Sequence, residues 1–133
     1  ILSFLECVAS RKYVAIDFYD GSIMYDFANG KTTICDIDLF HKQPCVNDMG
    51  RMWGSSRFQS PEEYQLGADI DEITNVYTLG ATAFALFGEY NRTREKWQLS
   101  DKLFEIATRA VSDDRTKRQQ SIRQFTAEWE AAQ

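Results

Sequence analysis

The run DEITNVYTLGATAFALF, from Asp71 to Phe87, carries apolar side chains around nearly the whole circumference of a helix: Ile73, Val76, Tyr77, Leu79, Ala81, Ala83, Phe84, Leu86 and Phe87. A helix that is apolar on every side must be covered on every side. The run is shorter than the ~20 residues that span a bilayer, so protein has to supply the cover. The rest of the chain therefore builds a body around this segment. With 133 residues, 44% of them hydrophobic and 26% charged, there is enough chain for one domain with a real core.

The covering elements can be read in order. Ile1 to Ser10 has apolar residues at Ile1, Leu2, Phe4, Leu5, Val8 and Ala9, which fits the end of a helix. Ile23 to Phe27 and Thr32 to Ile34 are β-prone segments flanking Asn29-Gly30, a hairpin signal. Asp38 to Ser60 reads as one long irregular stretch, and loops of that length inside domains tend to be functional. Ser60-Pro61-Glu62-Glu63 reads as a strong helix start. Ser100 caps a further helix with the stripe Leu103, Phe104, Ile106, Ala107, Ala110 and Val111. Ser121 and Gln124 form a capping box for the last, whose inward face is Ile122, Phe125 and Trp129. Tyr77 and Trp97 are read as core.

Several functions are disfavoured. A net charge of −5 argues against general nucleic-acid binding, which needs a basic face. The basic residues of the last third (Arg109, Arg115, Lys117, Arg118 and Arg123) read mostly as helix surface. Three cysteines without paired spacing and a single histidine, His41, cannot assemble a zinc site. They favour a reducing compartment, hence a cytoplasmic location. Cys35 reads as a small buried hydrophobe, and His41 has no role. No membrane association is expected. The chain starts at Ile1, apparently within a helix, which suggests a fragment.

Three blocks at matching spacing resemble the C-terminal lobe of a protein kinase of the bacterial, eukaryotic-like Ser/Thr type. Gly54-Ser55-Ser56-Arg57-Phe58-Gln59-Ser60-Pro61-Glu62 is similar to G-T-x-x-Y-x-A-P-E, which closes the activation loop. Asn75-Val76-Tyr77-Thr78-Leu79-Gly80 is similar to D-V-Y-S-L-G on the central helix, and Asp113 to Arg118 to the D-P-x-x-R-P segment. The resemblance spans residues 1–133 and implies a mainly α fold: a helical body with a small β-hairpin and a long activation-type loop, α+β only as part of a complete kinase domain. It also implies a buried Glu62–Arg118 pair.

For chemistry, the resemblance places Asp17 as catalytic base and Asp36 as metal ligand. Ser22 stands where the family has the metal-binding asparagine. Ala15 and Ile16 replace the preceding His-Arg, Tyr19 replaces a lysine, and Ile37-Asp38 follow Asp36 in place of Phe-Gly. Asp20 and Asp38 could add carboxylates and make a cluster that binds a cation. Asn75 stands for an aspartate that braces the catalytic loop, and reads as a weaker brace. Leu39 to Trp53 holds no Ser, Thr or Tyr, and Ile16 removes the phosphate-reading arginine, so switching by phosphorylation there is not expected. Ser55 reads as a substrate-loop contact.

The glycine-rich loop and lysine of an N-terminal lobe are not in this sequence, so ATP and Mg²⁺ are expected only together with such a lobe. Three readings follow. One is a phosphotransferase acting on protein Ser/Thr hydroxyls. Another is a pseudokinase acting as an interaction scaffold, and the third a small-molecule kinase, which the Ser60-Pro61-Glu62 segment disfavours. Partners are a protein substrate or binding protein, with self-association through an exposed inter-lobe surface.

Overall fold

Asp71 starts the central helix, and its side chain accepts from the Ile73 amide while its own N–H meets the Thr74 hydroxyl. This helix, α2 (Glu72–Phe87), is the centre of the molecule: every residue from Thr74 to Phe84 is buried. Two of its polar residues are satisfied within the helix. The Thr78 and Thr82 hydroxyls donate to the carbonyls of Thr74 and Thr78, at 3.4 and 2.8 Å, so little polar capacity is stranded. The computed structural model describes all residues, 1–133.

Three helices enclose α2: α1 (Leu2–Ser10), α3 (Asp101–Ala110) and α4 (Ile122–Ala131). Leu5, Phe18, Phe84, Leu103, Phe125 and Trp129 belong to one apolar core with Trp97. Its aromatic rings meet edge-on or stacked, with Phe84 and Trp97 centroids 5.2 Å apart and Phe125 and Trp129 5.5 Å apart. The close approach of α2 to α3 depends on Gly80. A Cβ there would lie 2.7 Å from Ala110 Cβ and 2.9 Å from the Ala107 carbonyl oxygen.

The β structure is three separate antiparallel two-stranded pairs. Tyr13–Val14 (β1) pairs with His41–Lys42 (β4), Ile23–Asp26 (β2) with Lys31–Ile34 (β3), and Cys45–Val46 (β5) with Asp69–Ile70 (β6). The stretch read as irregular thus holds two short strands and is tied to the body at both. The hairpin turn also differs from a two-residue Asn-Gly turn, because Asp26 pairs with Lys31. The Asp26 carboxylate organises the longer turn by accepting from the amides of Ala28 and Asn29, and Gly30 takes the left-handed conformation, φ 62°. Pro61–Tyr64 is a single 3₁₀ turn instead of a helix. Met24, Tyr25 and Phe27 on the hairpin are exposed. No helix is long and apolar enough to cross a membrane.

Candidate functional site

Asp17 and Asp36 are far apart in sequence, and the β2–β3 hairpin brings them together. Ile23 pairs with Ile34, so the chain leaving β3 returns to where it entered β2. The Cys35 amide then bonds the Ser22 carbonyl at 2.9 Å, and the Cys35 thiol reaches the same oxygen at 3.5 Å. Cys35 is half-buried and acts as a clamp there, more than a core hydrophobe. Asp17 and Asp36 both adopt left-handed backbone, φ 59° each, a conformation that surrounding structure must enforce in a non-glycine residue.

The Asp17 carboxyl is raised above the usual aspartate range, first by burial and then by repulsion from Asp36. Partial desolvation makes it a stronger base than a free aspartate while Asp36 stays exposed. Ser22 behaves differently. Its side chain is fully buried and its hydroxyl has no hydrogen-bond partner.

Asp20 is drawn away too, accepting from the Tyr90 hydroxyl. No group of three or more His, Cys, Asp or Glu side chains is arranged to hold a metal ion, so the four-carboxylate cluster does not form. Asp17 and Asp36 remain as a pair. Mg²⁺ on nucleotide phosphates commonly takes only one or two protein carboxylates. The pair fits that need, and the protein alone does not build a cage.

The loop that carries Asp17 is braced from α2. The Asn75 side-chain oxygen accepts from the Ala15 amide at 2.7 Å, and its amide donates to the Ala15 carbonyl at 2.8 Å. A carboxylate could make only the first of these bonds. Next in the chain, Ile16 packs with Val14, Met52 and Ile70. Where a regulated kinase has a phosphate-reading arginine, this chain uses an apolar contact to hold its loop.

Beside this loop lies the segment Gly54–Phe58. Tyr19 meets Phe58 edge-on at 6.3 Å, filling the place of the absent lysine with packing. Gln59 spans the segment, donating to the carbonyls of Met52 and Trp53 and accepting from Tyr64. Gly54, at φ 144°, is crowded by the Gln59 side chain.

The segment is anchored by Glu62, bonded through both oxygens to Arg118 at 2.7 and 3.0 Å. Arg115 adds a contact to Glu62 and two 2.8 Å bonds to Asp71. Arg118 is buried and Arg115 largely so; neither is the surface residue its charge suggests. Burial acts to raise the Glu62 carboxyl, but the Arg118 bonds and the charges of Arg118 and Arg115 outweigh it and hold it below its ordinary value.

Glu63 has no such partner. It accepts from the Ser60 amide and hydroxyl at 2.6 and 2.9 Å, yet burial pushes its carboxyl up to about 7. The folded state therefore holds a proton that the unfolded chain releases near pH 4.5. Its contribution to stability is full below that pH and is lost as pH rises through about 7. Glu63→Gln is expected to remove this loss and gain on the order of 3 kcal/mol over the parent at pH 8. Denaturant midpoints of both proteins at pH 5 and 8 check it: a difference that does not grow with pH refutes the assignment.

No family model matches the sequence, and no curated protein matches it. Among solved structures, the Cydia pomonella granulovirus kinase PK-1 superposes with a TM-score of 0.73 at 14% sequence identity. The match covers 96% of this chain and 54% of that one. The fold is that of a kinase C-terminal lobe. The chain spans about half the length of this viral kinase, and at such low identity the likeness concerns architecture.

Of the sequence-predicted residues, Asp17 and Asp36 stand together, and the Ser22 carbonyl is bonded by Cys35, the neighbour of Asp36. Two residues escaped the sequence reading. Tyr90 has left-handed backbone (φ 62°) and joins Asp20 to Arg57, whose guanidinium lies 4.9 Å from its ring centroid. Arg92 bonds the Arg57 carbonyl. Neither falls in a motif, and only spatial proximity identifies them.

Proposed function

We propose that this chain is the substrate-side lobe of a protein kinase-like phosphotransferase, of the Ser/Thr type, moving the γ-phosphoryl group of ATP to a protein hydroxyl. The observation that carries the reading is the Asp17–Asp36 pair, with Asp17 partly desolvated and raised by burial and by its neighbour. Asp17 would orient the attacking hydroxyl and take up its proton, and its raised basicity suits that task. Asp36, exposed beside it, would hold Mg²⁺. That ion, when bound with ATP, would neutralise charge on the phosphates. Asn75 keeps the Asp17 loop in place, and the Gly54–Phe58 segment forms the adjoining wall.

The test is γ-phosphoryl transfer by the full-length product of the encoding gene, with Mg²⁺-ATP and a serine-containing protein acceptor. Asp17→Asn keeps shape and removes the base; it is expected to lower turnover at least ~10²-fold while leaving the melting temperature within a few degrees. Absence of turnover in the parent, or equal turnover in the variant, would overturn the reading.

A second reading, a scaffold without turnover, is favoured by one observation: a serine with a buried, unpartnered hydroxyl stands where the family has a metal-binding asparagine. Protein binding that persists without any turnover would support it.

A further inference from the structure

Arg57 and Arg92 are exposed, lie against one another beside the loop that carries Asp17, and take part in none of the ion pairs of the structure. Arg92 donates to the Arg57 carbonyl at 3.1 Å and to the Tyr77 hydroxyl at 2.9 Å. Both guanidinium groups rest on aromatic faces, Arg57 4.9 Å from the Tyr90 centroid and Arg92 5.2 Å from that of Tyr77. Such stacking fixes the cations in advance, which reduces the ordering cost of binding an anion.

No acid pairs with either of them. Asp20 accepts from the Tyr90 hydroxyl and forms no ion pair with Arg57 or Arg92. Between Gln43 and Phe58 the sole acidic residue is Asp48, against Arg51 and Arg57. From Arg92 a surface groove continues past Arg109, Ser112, Asp113 and Lys117, whose cations are paired, Arg109 with Glu128 and Lys117 with Asp114. In a chain of net charge −5, Arg57 and Arg92 are left as two unpaired cations on the face beside the site. The Tyr90 link to Asp20, three residues from Asp17, ties this face to the site.

We infer that Arg57 and Arg92 receive the acidic flank of a protein segment, so that the preferred partner carries aspartate or glutamate residues next to the hydroxyl it presents to Asp17. The presentation to Asp17 rests on the phosphotransferase reading; the binding of acidic sequence does not.

The test uses fluorescein-labelled serine peptides, identical except for Glu or Lys flanks, titrated with the chain at low salt without nucleotide. Fluorescence anisotropy gives affinity. Iodide quenching reports on Trp53, which is exposed while Trp97 and Trp129 are buried. The Glu-flanked peptide is expected to bind about tenfold tighter or better, to weaken with salt, and to shield Trp53. Arg57→Glu should erase the preference and the milder Arg57→Gln reduce it, each with melting unchanged; Arg123→Glu, on α4, should leave it intact. Equal affinities, no binding of either peptide, or a preference that survives both Arg57 substitutions would overturn the inference. Turnover that fails while the preference holds refutes the phosphotransferase reading alone. A preference that fails while turnover holds refutes this inference alone.

Discussion

Replacing Arg118 with methionine is expected to destabilise the fold by about 3–5 kcal/mol, because it leaves Glu62 as a buried, uncompensated charge. Arg118 is enclosed by acceptors: Glu62 on both oxygens, the Ser112 carbonyl at 2.7 Å and the ring of Tyr77. Its side chain is 0% exposed and that of Glu62 4%. Arg115 reaches Glu62 at 3.3 Å but is committed to Asp71, so it compensates only in part. For a domain whose total stability is roughly 5–15 kcal/mol, the loss should lower the melting temperature by roughly 10–20 °C. Arg118→Lys keeps the charge and loses the two-pronged geometry, so it should fall between parent and methionine variant. The double variant Glu62→Leu/Arg118→Met removes both charges and should be more stable than Arg118→Met alone. Thermal melts of the four proteins decide the matter: a double variant no better than the single one would show that packing, not stranded charge, sets the cost.

Asn75→Asp is expected to destabilise the protein by about 2–3 kcal/mol at neutral pH, although it restores the residue typical of the kinase family. The cause is the two-sided clip on Ala15. The present amide gives one acceptor to the Ala15 N–H and one donor to its C=O. A carboxylate at this 2% exposed position would face that carbonyl with a lone pair. Protonating the new carboxyl restores a donor. The penalty should therefore shrink as pH falls, because folding would raise the pKa of this group above its unfolded value near 3.9. Asn75→Ala loses both bonds without adding charge, so its penalty should not vary with pH. Denaturant midpoints at pH 5 and 8 separate the two variants, and an Asn75→Asp protein as stable as the parent at pH 8 would show that the clip is not needed in its present form.

Both effects concern residues at family-like positions, and they differ in how visible they were. The Glu62–Arg118 pair is what the family resemblance implies, and the structure contains it. The brace from Asn75 was also anticipated, but not its two bonds to Ala15, since a sequence shows which group is present and not which atoms it faces. For Ser22 the resemblance names the position, while the fold decides that its hydroxyl is buried without a protein partner. That Asp20 accepts from Tyr90, distant in sequence, is likewise a matter of the fold.

The sequence alone determined the elements that local chemistry controls. An all-round apolar segment had to become the buried central helix, and Ser100 and Ser121 had to start helices. Tertiary structure alone decided which charged and polar side chains meet: the pairing of Asp17 with Asp36, the burial of Ser22, and the two unpaired arginines beside Tyr90. Periodicity and capping act over a few residues and are written in order along the chain. Electrostatic and hydrogen-bond partners are chosen by distance in space, which the order of residues does not contain.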